Sequence, residues 1–147
     1  MAQEDSCPYE IELEDNFLPP HFLYRGVPRG LWGRWDDLDN FQPNFFITKD
    51  VSKGMSVDWS KYADPEETLQ RLRKPRLTEN GISQLNVGEL RECIHINNFP
   101  LEIKHTPRSD NQAHSDIKGF NRGNTAEIRR KISKIAGWVP GFKPIIN

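Results

Sequence analysis

The densest chemistry in this chain lies between Lys104 and Asp116, where His105, Arg108, Asp110, Asn111 and His114 crowd into one polar stretch. It follows the apolar alternation of Leu101 and Ile103 and ends where Ile117 returns, so it reads as a loop able to hold a site. Histidine changes charge nearest to neutral pH, and a pair of histidines can act as acid and base across a phosphodiester. His105 and His114 are therefore the candidate catalytic residues. Arg108, with Lys104 and Lys118 nearby, can neutralise phosphate charge, and Asn111 can donate an amide to the same group. The competing reading is that both histidines hydrogen-bond a structured loop whose turns Asp110 and Asn111 make. A metal would need a third ligand from Asp110 or Asp116 in a spacing that matches no known signature, so no metal is assigned.

Arg25 is the second candidate, as a substrate-binding residue. It is embedded in Leu23-Tyr24-Arg25-Gly26, where an arginine must pair internally or face a pocket, because an unpaired buried charge is costly. Its planar fork suits phosphate or carboxylate. A third segment, Lys53 to Tyr62, has a glycine and a lysine but lacks the phosphate-loop pattern. It reads as a strand with Met55, Val57 and Trp59 inward, leaving Ser56 and Asp58 to line a cleft or the surface. Arg129, Arg130, Lys131 and Lys134 make the last helix basic on one side, either as a solvated face or as a surface for phosphate backbones.

The elements that must position these groups follow from pattern and punctuation. Phe22 to Val27 is an apolar run between Pro19-Pro20 and Pro28, and reads as a strand. Residues 29 to 48 carry Trp32, Trp35, Phe41, Phe45 and Phe46 among glycines, prolines and aspartates, and read as a long loop with short helical turns. Asp64-Pro65-Glu66-Glu67 is a helix start with a capping-box spacing, and predicts a helix of about ten residues stopped by Pro75. Ile82, Leu85 and Val87 predict a strand after Asn80-Gly81, with one helical turn at Gly88 to Glu92. Leu101 to His105 and Ala113 to Ile117 predict two partner strands. Thr125 to Ala136 predicts a helix with Ile128 and Ile132 inward and Gly137 as its stop.

The whole is expected to be an α+β fold: residues 1–16 an acidic lead-in and 17–147 one compact domain. That domain has a small mixed or antiparallel sheet, two main helices and the aromatic-rich loop. At 147 residues the chain can bury one ordinary core, and its four tryptophans and eight phenylalanines should concentrate it. A net charge of −1 gives no whole-molecule field toward nucleic acid or anionic lipid. Two cysteines, Cys7 and Cys93, are too few for a thiolate cage or a disulfide scaffold. No apolar run approaches a membrane span, and the acidic start is opposite to that of a signal peptide. A reduced, cytoplasmic setting is the expectation, with no membrane partner.

In their order, Leu23-Tyr24-Arg25-Gly26, Gly54-Met55-Ser56-Val57-Asp58-Trp59, Asp64-Pro65-Glu66-Glu67-Thr68, Leu85-Asn86-Val87-Gly88, His105-Thr106-Pro107 and Asn111 to Ile117 resemble landmarks of a family of small bacterial proteins. That resemblance spans roughly residues 22–138 and implies a bacterial origin, with no established activity attached. The Tyr24-Arg25-Gly26 strand also resembles the opening of ADP-ribosyltransferase-like folds, which implies an arginine on the phosphates of NAD. The chain departs from that pattern: it has no Ser-Thr-Ser strand, and its only Glu-x-Glu spacings, at Glu10, Glu12 and Glu14, precede the arginine.

Three functions are expected from these features. The first is a small enzyme or toxin-like effector acting on a nucleotide or other phosphate-bearing substrate through Arg25, Arg108, Asn111, His105 and His114. The second is a protein-interaction module presenting the aromatic residues of 29–48. The third, nucleic-acid binding through the basic last helix, is the least favoured.

Overall fold

The computed structural model describes residues 16–46 and 53–146. The acidic lead-in, apart from Asn16, lies outside the described residues. Among these residues the fold is α+β: one six-stranded sheet, four helices and a 3₁₀ turn. The strands are β1 (Phe22–Pro28), β2 (Met55–Trp59), β3 (Asn80–Asn86), β4 (Glu102–His105), β5 (His114–Lys118) and β6 (Gly137–Trp138). Their order across the sheet is β4-β5-β2-β1-β3-β6, with every neighbouring pair antiparallel. The helices are α1 (Arg29–Trp32), α2 (Pro65–Gln70), α3 (Val87–Asn97) and α4 (Thr125–Ile132).

Alternation along the strands divides the molecule into two layers. Leu23 and Val27 of β1, with Met55, Val57 and Trp59 of β2, face the larger core. That core is closed by Val87 and Leu90 of α3 and by Ile128 and Ile132 of α4. Trp32, Phe41, Phe45 and Phe46 of the aromatic segment fold into the same core at 8 % exposure or less. Trp35 packs against it half-buried. These rings are core, so they supply no exposed patch for a partner. On the opposite face Tyr24, Ile82, Leu69 of α2 and Val139 form a smaller cluster.

Local signals explain where each element starts. Asp64 accepts from the Glu67 amide at 2.8 Å and Glu67 reaches back to the Asp64 amide at 2.9 Å, so the predicted capping box forms. The helix is shorter than predicted because the chain leaves it at Arg71, whose guanidinium turns inward to Asp58. After β3 the chain makes α3 where one turn was expected. Asn86 caps it by accepting from the Glu89 amide at 2.9 Å. Val87 and Leu90 are buried on α3, and Cys93 and Ile94 continue the same stripe partly buried. Helix α4 ends earlier than expected, and the residues from Ser133 to Ile135 continue as turns.

The polar stretch from 104 to 116 is a hairpin: the two predicted partner strands pair, and the loop is confined to the residues between them. His105 ends β4 and His114 begins β5, and Arg108 and Asn111 bridge across the intervening turn. Gly119 closes the far end of this hairpin. Its φ is +116°, and a Cβ there would lie 1.9 Å from the Pro100 carbonyl oxygen, so no other residue fits. No helix among the described residues is long and apolar enough to cross a membrane.

Candidate functional site

The site lies where the β1–β2 ladder stops. Those strands pair only through Leu23↔Trp59 and Tyr24↔Asp58, although β1 runs on to Pro28 and β2 begins at Met55. Beyond Tyr24 a side chain replaces the ladder: Arg25 Nη1 donates to the Ser56 carbonyl oxygen at 2.7 Å. With α2 laid over this region, a cavity of about 240 Å³ remains. Its polar wall includes Arg25, Ser56, Asp58, Arg71, Asn111 and His114, and its apolar wall includes Tyr24, Val57 and Leu72.

Asp58 organises the polar wall. It is 7 % exposed, and a carboxylate this buried has to be matched by donors. Oδ2 accepts from Thr68 Oγ1 at 2.8 Å and from Arg71 Nη1 at 3.1 Å. Oδ1 accepts from Asn111 Nδ2 at 2.8 Å. Asn111 Oδ1 in turn accepts the Ala113 amide at 3.0 Å, which fixes both ends of its side chain. One buried acid thus ties α2 and the β4–β5 hairpin to β2.

His114 stands opposite Asp58 in the β2–β5 register and is buried. Its Nδ1 lies 2.9 Å from the Thr106 carbonyl oxygen and 3.0 Å from Thr106 Oγ1. Thr106 Oγ1 donates to Asp116 Oδ2 at 2.9 Å, and Ser56 Oγ donates to the other oxygen of Asp116 at 3.2 Å. Burial pushes the Arg25 guanidinium down to about 10. Burial, and secondarily the charge of Asp64, push the Tyr24 hydroxyl up, so it stays neutral.

Of the residues singled out from sequence, Arg25, Asn111 and His114 come together at this cavity. His105 does not. It is 4 % exposed on the other face of the sheet, with Nε2 at 2.8 Å from the Gln112 carbonyl oxygen. Its ring stacks on Tyr62, with centroids 5.6 Å apart, and meets Trp59 edge-on at 5.3 Å. The reason is the two-residue period of a strand: His105 pairs with Ser115, so His114, one residue away, points to the opposite face. The two histidines therefore cannot serve as acid and base on one phosphodiester. Arg108 is exposed at the hairpin turn and does not line the cavity.

Thr68 and Arg71 are the site residues that the sequence reading did not find. Arg71 reads there as a cation at the helix C-terminus, yet Thr68 and Arg71 are three apart and share a helix face. With Asp58 on the outward face of β2, that spacing was the available signal. No cluster of three or more histidine, cysteine or acidic side chains that could hold a metal occurs among the described residues. No protein-family model, curated protein or solved structure matches the chain.

Proposed function

We propose that this cavity binds a small phosphate-bearing molecule, a nucleotide or another phosphoester, and that the protein is an enzyme or toxin-like effector acting on it. The observation that carries this reading is the convergence of Arg25 of β1 with Asn111 and His114 of the distant β4–β5 hairpin on one concavity. Arg25 and Arg71 are the anion contacts: guanidinium forks match phosphate oxygens in geometry as well as charge. Asn111 adds an amide donor whose orientation Asp58 and Ala113 fix. His114 is the group that moves a proton, and Tyr24 offers a ring wall for the organic part of the ligand. NAD belongs among the ligands to be tried, because the Tyr24-Arg25-Gly26 strand resembles the opening of NAD-using folds. A bacterial, cytoplasmic setting fits this role and the free Cys93 thiol.

The test is a thermal-melting comparison of wild type, Arg25→Ala and His114→Ala against inorganic phosphate, mono- and dinucleotides and NAD. One of these compounds is expected to raise the wild-type midpoint and neither variant's. A panel that shifts none of the three proteins, or all three equally, would overturn the proposal.

A further inference from the structure

We infer that Asp116 is a positioning residue: acting through Thr106, it holds the His114 proton on Nδ1 and so presents Nε2 to the cavity as a base. The argument is one of counting protons. The Thr106 hydroxyl has one proton, and it goes to the Asp116 carboxylate at 2.9 Å, because hydrogen bonds to a charged acceptor are about twice as strong as neutral ones. Thr106 Oγ1 then meets His114 Nδ1, 3.0 Å away, with lone pairs alone. The Thr106 carbonyl oxygen, 2.9 Å from the same nitrogen, has only lone pairs to offer. Two acceptors converging on one ring nitrogen require that nitrogen to carry the proton. A neutral imidazole has one donor and one acceptor, so Nε2 keeps its lone pair. Nε2 has no hydrogen-bond partner among the described residues, on a side chain that lines the cavity.

Asp116 is itself held from the other side. Ser56 Oγ donates to its Oδ1 at 3.2 Å, and Asp116 sits between Ser56 of β2 and Lys104 of β4 in the sheet register. The reaction this arrangement prepares is removal of a proton from a hydroxyl or water bound in the cavity. The O–H bond breaks with its electron pair left on oxygen, and an Nε2–H bond forms. That chemical use rests on the function proposed above; the tautomer does not.

Long-range proton–nitrogen correlation spectra of ¹⁵N-labelled protein, recorded where the imidazole is neutral, read the tautomer with no ligand present. Wild-type His114 is expected to show a protonated, pyrrole-type Nδ1 and a bare, pyridine-type Nε2. In Asp116→Ala the freed Thr106 hydroxyl can donate to Nδ1, and the Nε2 resonance should move measurably toward the protonated position. Adding Thr106→Val removes that donor while keeping the carbonyl, so the double variant should return to the wild-type tautomer. A merely structural role for Asp116 predicts no such rescue. Protonated Nε2 in the wild type, a reading that needs no variant to fold, would overturn the inference. So would an unshifted Asp116→Ala. Failure of the phosphate panel, by contrast, overturns the proposed function and leaves the tautomer untouched.

Discussion

The two faces of the sheet use the same residue type in opposite ways. On one face His105 is an aromatic ring among aromatic rings, stacked on Tyr62 and set against Trp59, with its Nε2 spent on the Gln112 carbonyl. On the other, His114 is tied only through Nδ1, and it lines a cavity with Arg25 and Asn111. The larger core is built from apolar area and needs few hydrogen bonds. The cavity wall is built from hydrogen bonds that converge on one acid, Asp58. What separates the core histidine from the cavity histidine here is the parity of its position in a strand.

The hardest way to strain this comparison is to attack the aromatic face. Trp59 is fully buried between Phe17, 4.0 Å away by ring centroids, and the edges of Tyr62 and His105. Trp59→Ala should cost about 3–5 kcal/mol, the usual range for emptying a large aromatic site. Urea denaturation would measure it. A loss below about 1 kcal/mol would mean that this face can collapse around the void, and that it is not the rigid layer behind the cavity.

Much of this division was legible in the sequence. The alternation of Met55, Val57 and Trp59 against Ser56 and Asp58 already assigned each to its face, and Asp64-Pro65-Glu66-Glu67 marked the start of α2 to the residue. Two things were hidden. Nothing local fixes the pairing of His105 with Ser115, and a shift of one residue would have brought the two histidines to one face. The extent of helix α3 was the other: only Val87 and Leu90 are fully buried, and Cys93 and Ile94 continue the stripe only partly buried, so its apolar signal weakens toward its end. Thr68 and Arg71 left only their three-residue spacing as a signal. They matter through Asp58, and that contact exists only once α2 lies on the sheet.

A smaller effect sharpens the comparison directly. His105→Ala should destabilise by about 2–3 kcal/mol, through lost ring packing and an orphaned Gln112 carbonyl. It should leave the ligand dependence of the folded protein intact. His114→Ala should cost under about 1 kcal/mol in stability, since it removes one tethered nitrogen at a cavity edge, while abolishing any response to phosphate compounds. Melting curves with and without ligand give both readouts together. Equal stability losses in the two variants would erase the distinction drawn between the faces.

The smallest expected effect is at Arg25, and its sign is the informative part. Burial lowers this guanidinium from its ordinary value to about 10, which corresponds to roughly 3 kcal/mol against keeping the charge at neutral pH. The hydrogen bond from Nη1 to Ser56 recovers about 1.5–3 kcal/mol of that. Arg25→Met, which keeps the stem and removes the charge, should therefore change stability by no more than about 1 kcal/mol, in either direction. The pH dependence separates this from indifference. Between the folded and unfolded values the unfolded chain holds the proton and the folded chain has released it, so Arg25's contribution to stability rises with pH. From about pH 9 to about pH 11 the wild type should gain about 1 kcal/mol relative to Arg25→Met. Paired urea titrations at the two values measure the difference. A loss above about 2 kcal/mol in Arg25→Met at neutral pH would make Arg25 a strut joining β1 to β2, and would move the anion site away from it.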